Sequence, residues 1–189
     1  MHIPAIFETI VHAGEGFENI PLSPNPYFII AKDGTYMHRE TQIGRLLLRQ
    51  TAIPPSIGNL NVGPGIFTWT RPQIPARIIS QATSFFRRTL ETRGSEAEVL
   101  ITMHNDTGEF RLFVPFQRAS GGGVKSIFEP THINRNYTIV GTLHSHCDFS
   151  AYHSSTDTAD AANMDGIHFT IGMLKSTPPQ IVAMVAMNG

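Results

Sequence analysis

Apolar and polar residues change rhythm several times along this 189-residue chain, and each rhythm predicts a different element. From Pro75 to about residue 92, Ile78, Ala82, Phe85, Phe86 and Leu90 recur at the spacing of one helical face. Pro75 suits a first turn and Gly94 suits a stop, so one helix is predicted there. The next runs, EVLITMH and EFRLFVPF, are short and apolar and flank the turn-forming NDTG, which predicts an antiparallel hairpin. YTIVGTLHSH, IHFTIGML and QIVAMVAM read as further strands. Between the first two, STDTADAANM reads as a short helix opened by a Ser-x-x-Asp cap.

Two stretches lack such a period. Residues 118 to 136, RASGGGVKSIFEPTHINRN, hold three consecutive glycines and are expected to form a mobile loop. Residues 1 to about 72 are punctuated by Pro4, Pro21, Pro24, Pro26, Pro54, Pro55, Pro64 and Pro72 and are expected to be loop-rich. Within them, YFIIAKDGTYMHRE sets Asp33-Gly34 between two strand-like runs, a hairpin signal. The expected organisation is a small β-containing accessory region over 1–72 and a second domain over 73–189, of the α+β (α/β/α layered) class. The chain stops at Gly189 directly after a strand-like run, an abrupt finish of the kind a truncated chain shows.

Composition narrows the function classes. A formal net charge of −1 provides no broad basic field to hold nucleic acid or an anionic membrane. The first twenty residues break every apolar run with Glu or His, so they lack a secretory h-region, and no apolar run approaches a membrane span. One cysteine, Cys147, excludes an internal disulfide and fits a reducing compartment. The expectation is a cytoplasmic protein.

The chemistry concentrates in GTLHSHCDFSAYHSSTD, residues 141 to 157. In a strand, residues two apart share a face, so His144 and His146 would present two imidazoles together. That is half of a zinc site, and Asp157 can supply a third ligand. A His-x-His pair alone is more often surface or satisfied core than ligand, and Ser-x-x-Asp alone is more often a helix cap. Together, His-x-His-x7-Ser-x-x-Asp has a chance expectation in this composition of about one in a thousand.

The string HSH, seven residues, then SSTD resembles the signature of the JAMM (MPN+) zinc metalloproteases. The likeness covers about residues 74 to 189 and is strongest to prokaryotic members, among them protein A of PRTRC gene cassettes and the deconjugating peptidases of bacterial ubiquitin-like (Bil) operons. The resemblance implies a cytidine-deaminase-like architecture. It also implies one catalytic Zn²⁺ bound by His144, His146 and Asp157, with Ser154 assisting the reaction and an upstream glutamate acting as general base. Glu96 in SEAEVLI fits that place, but Val99 stands where the family usually has glycine, and Glu98 would face the same side of an extended segment. Cys147 replaces a common proline; a thiolate there would close the position that hydrolysis needs open, so it reads as a neutral filler. His153 and His168 read as structural, through hydrogen bonds or contacts behind the ligands.

The resemblance further implies a peptidase or isopeptidase that cleaves after the C-terminal tail of a ubiquitin-like protein, in maturation or deconjugation, with antiphage defence as a setting. An extended tail would add as a strand beside the zinc, clamped by the Gly121-Gly122-Gly123 loop. Two other readings stay open: a catalytically silent scaffold or binding module, and a zinc hydrolase of another peptide. The sequence has neither His-Glu-x-x-His nor the deaminase motif. The N-terminal region would bind the ubiquitin-like substrate, bind a conjugating-enzyme partner, or cover the catalytic domain.

Overall fold

The computed structural model describes residues 8–11, 27–31, 34–49, 66–127 and 133–186. Pro4, Pro21, Pro24, Pro26, Pro54, Pro55 and Pro64, Asp33, residues 128–132 of the expected loop and the final residues 187–189 lie outside the described residues. The chain divides into two compact units, Met1–Arg71 and Pro72–Gly189. Strands and helices occur in both orders and pairings typical of the α+β class, and no described helix is long and apolar enough to cross a membrane.

The first unit is a five-stranded sheet in sequential order: β1 (Glu8–Val11), β2 (Tyr27–Ala31), β3 (Gly34–Glu40), β4 (Gly44–Arg49) and β5 (Ile66–Trp69). β1 runs parallel to β2, and the remaining pairs are antiparallel. Period-two alternation explains its core. Tyr27, Ile29, Tyr36 and Leu47 bury one face, and the register sets Ile29 opposite Tyr36. The β2–β3 hairpin forms one residue earlier than its turn signal suggests. Gly34 is already in β3, paired with Ala31.

In the second unit α1 (Ala76–Arg93) buries Ile78, Ala82 and Phe86, four residues apart on one face. Pro75 stands at its N-cap rather than in its first turn, and Gly94 ends it in the left-handed region at φ 61°, with its N–H bonded to Leu90 O. The sheet beside it has the order β12-β11-β10-β6-β7. Its strands are β6 (Glu98–His104), β7 (Phe110–Phe113), β10 (Tyr137–Ser145), β11 (Gly166–Gly172) and β12 (Gln180–Ala186). β10 is central, antiparallel to β6 and parallel to β11. The parallel pair needs a crossover, and α2 (Ser155–Ala161) lies in it.

The first part of the region expected to be a mobile loop, up to residue 127, is regular instead. Residues 116–120 and 123–127 form strands β8 and β9, an antiparallel hairpin turning at Gly121-Gly122. No residue of either strand is fully buried, so no apolar alternation was there to announce it. Its hold on the rest is polar: the Gln117 side chain donates to Glu98 O and accepts from Glu98 N–H, and Ser120 O accepts from Glu96 N–H. β7 pairs with β6 only as far as Leu100, and the Gln117 amide takes over the strand edge at Glu98.

Candidate metal centre

A bulge between Ile139 and Gly141 resets the face of β10, after which Thr142 lies opposite Leu100 and His144 opposite Glu98 on β6. On the other side Thr142 is level with His168 and His144 with Thr170 on β11. Neighbours at the same level share a face, so Glu98, His144 and Thr170 come together on one side of the sheet. His146, two residues past His144 and just beyond β10, continues that face.

The third donor arrives from the crossover. Ser154 caps α2, accepting from Asp157 N–H at 3.1 Å, while Asp157 Oδ2 accepts from Ser154 N–H at 2.7 Å. This capping box fixes the Asp157 carboxylate at the helix start, where the helix dipole favours its charge. Its two oxygens then meet the two imidazoles: Oδ1 is 3.3 Å from His144 Nε2 and Oδ2 is 3.4 Å from His146 Nε2. All three donor atoms lie within 4.8 Å of one another.

This donor set fits zinc. Two imidazole nitrogens and a carboxylate oxygen are ordinary zinc ligands, and one donor atom from each lies within 4.8 Å of the others. Burial holds the His144 imidazole down at about 4, so at neutral pH its lone pair is free for a metal without loss of a proton. Burial raises Asp157, but the Ser154 hydrogen bonds and the charges of His144 and His146 outweigh it and leave the carboxyl below its usual range.

The two candidate glutamates have different surroundings. Glu96 is buried, its carboxyl raised by burial, drawn back by His146 and raised again by Asp157. Its electrostatic partners are therefore two of the three proposed ligands. Glu98 is also raised, by burial, and its Oε2 already accepts a hydrogen bond from Ser126 of the hairpin. Glu98 is the glutamate that lines a cavity beside the donors, with Thr142, His144, His153, Asp157 and His168. Cys147 is buried at φ 51°, and burial, then the charges of Glu96 and Asp148, raise its thiol, so it stays neutral.

The sequence pattern described as prokaryotic homologs of the JAB domain matches residues 65–185, well over half of the chain. The chain belongs to that family. The JAB match begins at the end of the first unit, taking in β5, and ends in β12. No curated protein matches the chain closely enough to count as a relative. Within the JAB domain, His168 has both ring nitrogens engaged, Nδ1 with Thr142 Oγ1 at 3.0 Å and Nε2 with Met164 O at 3.0 Å, a structural arrangement tying the chain after α2 to the sheet. His153 is different: Nδ1 meets Thr170 Oγ1 at 3.0 Å, and the shielded Nε2 has no partner among the described residues. Sequence reasoning passed over Thr170, Ser126 and Gln117. Each reaches the site through pairing with a distant strand, and no local spacing announces it.

Proposed function

We propose that this JAB domain is a zinc-dependent hydrolase of peptide or isopeptide bonds, acting after the C-terminal tail of a ubiquitin-like protein. The observation that carries the reading is the convergence of His144 Nε2, His146 Nε2 and an Asp157 oxygen within 4.8 Å, with the buried Glu96 feeling the charges of His146 and Asp157. Bound there, zinc would supply a water acidified toward a pKa of ~7 and a Lewis acid for the carbonyl.

The chain's own residues divide the remaining work. Glu96, raised above the usual carboxylate range, suits taking a proton at its carboxylate and returning it to the leaving amine. The Ser154 hydroxyl, fixed at the start of α2, suits hydrogen bonding to the oxygen on which charge develops. Glu98, engaged with Ser126, shapes the cavity instead.

The substrate class rests on the resemblance to deconjugating peptidases, and the hairpin is consistent with it. Val124 of β9 lines the cavity, and Phe116 and Ile127 are exposed on the same hairpin, offering a strand edge with apolar side chains to an extended tail. We place the domain among layered, cytidine-deaminase-like folds, in the cytoplasm, with conjugating enzymes of the same system as partners and antiphage defence as the setting; neighbouring genes test that context.

Incubation with a cognate ubiquitin-like fusion, with zinc and with a chelator, tests the activity. Zinc-dependent release of the tail is expected. Stoichiometric zinc without cleavage would redirect the substrate assignment, and a chain that takes up no zinc would move the reading to a binding module.

A further inference from the structure

Among the described residues, the Thr170 hydroxyl touches both a proposed metal ligand and a histidine outside the ligand set. Its Oγ1 is 3.3 Å from His144 Nε2 and 3.0 Å from His153 Nδ1, and the residue is fully buried. A threonine hydroxyl has one proton to donate and two lone pairs to offer. With a cation on His144 Nε2, that nitrogen has no lone pair left to accept the proton. Burial removes water as an alternative, and a hydroxyl proton turned toward a cation is repelled. The remaining acceptor among the described contacts is His153 Nδ1.

Resting on the zinc reading above, we infer that His153 is a positioning residue for the metal centre. It accepts the Thr170 proton, so the hydroxyl turns its lone pairs, not its proton, toward the metal beside His144. The assignment fixes the His153 tautomer, with Nδ1 bare and Nε2 protonated. Of the two ring nitrogens, Nδ1 is the one engaged with Thr170 and Nε2 has no partner among the described residues. The sequence separates the parts, with His153 ahead of α2, Thr170 on β11 and His144 on β10, and only the parallel pairing of His144 with Thr170 joins them.

Outer-shell groups around metal ligands typically change metal affinity ~10- to 100-fold, and the same range is expected for the hydroxyl beside His144 Nε2. The test is zinc affinity by competition with a chromophoric chelator, on the full chain and without reference to activity. His153→Phe, which fills the space but accepts nothing, is expected to weaken zinc at least ~10-fold. His153→Asn, whose Oδ1 lies near the position of Nδ1, is expected to recover most of that loss. Thr170→Val with His153→Phe is expected to bind no more weakly than Thr170→Val alone, because there is no longer a proton to place. Nitrogen-15 NMR of the zinc-loaded protein is expected to show His153 with a bare Nδ1. Unchanged affinity in His153→Phe, equal loss in the Phe and Asn variants, or an Nδ1-protonated His153 would overturn this inference and leave the zinc reading standing. A wild-type chain that binds no zinc would overturn both.

Discussion

His144 on β10 and Asp157 in the first turn of α2 bring Nε2 and Oδ1 to 3.3 Å, and the same carboxylate caps its own helix through Ser154 N–H at 2.7 Å. Asp157 therefore serves the site and the fold together. Asp157→Ala should abolish stoichiometric zinc binding and also cost ~1 kcal/mol of stability through the lost cap. Asp157→Asn separates the two roles, because its amide oxygen still accepts from Ser154 N–H: zinc should be lost with little change in the unfolding free energy of the metal-free protein. Elemental analysis and chelator-treated denaturation of both variants check this.

Glu96→Gln should lower the rate of tail cleavage by ~10²- to 10⁴-fold while zinc content stays unchanged. Glu98→Gln keeps a group that can accept from Ser126, and its rate should fall less than about tenfold. The reverse ranking in single-turnover assays would assign the base to Glu98.

Removing the metal should destabilise the domain by mass action. With free zinc at 100 to 1,000 times its Kd, the bound state gains roughly 2.7 to 4.1 kcal/mol. A chelator should accordingly lower the melting temperature, and restored zinc should return it. A melting temperature indifferent to zinc and chelator would count against a buried metal centre.

Acid should weaken the metal-free protein. Burial holds His144 at about 4 and also lowers His168, whereas in the unfolded chain both return to near 6.5. Below 6.5 the unfolded state binds protons that the folded state refuses, so stability present above that pH is lost as pH falls. His144 alone would contribute a loss of up to about 1.4 kcal/mol per pH unit below 6.5, which urea titrations in chelator at pH about 7, 6 and 5 would detect. Glu96 and Glu98, raised by burial, act in the opposite sense as pH falls, so the deciding check is an imidazole NMR titration of the metal-free protein, where a His144 titrating near 6.5 would mean that this ring is not buried neutral.

Gly172, at the end of β11, should matter to the site through the chain that passes beside it. A Cβ there would collide with the backbone of Phe149, Ser150 and Ala151, in the loop that leads from His146 to Ser154. Gly172→Ala should therefore reduce zinc affinity as well as stability, which parallel melting and zinc-competition measurements would detect. Loss of stability alone, with normal affinity in the folded fraction, would show that the loop adjusts.

Local pattern was enough to determine a good part of this protein. Ile78, Ala82 and Phe86 mark α1 because a helical face is written at a fixed interval, and Gly94 marks its end because an L side chain resists a positive φ. The shared face of His144 and His146 follows from the two-residue period of a strand, and the Ser154–Asp157 capping box from the first turn of a helix. Such features depend only on residues a few positions apart.

Tertiary structure decided the rest. The β8–β9 hairpin buries no residue fully and is held by Gln117, Ser120 and Ser126, so its sequence carried no apolar period and looked like a loop. The hydrogen bond from Ser126 of the hairpin to Glu98, and the approach of Asp157 to His144 through the crossover from β10 by α2 to β11, both join segments far apart in the chain. Thr170 joins the site only because parallel pairing sets it level with His144, 26 residues earlier. Pairing and register arise from contacts between segments distant in the chain, and these are settled when the sheet assembles rather than by any short stretch of residues.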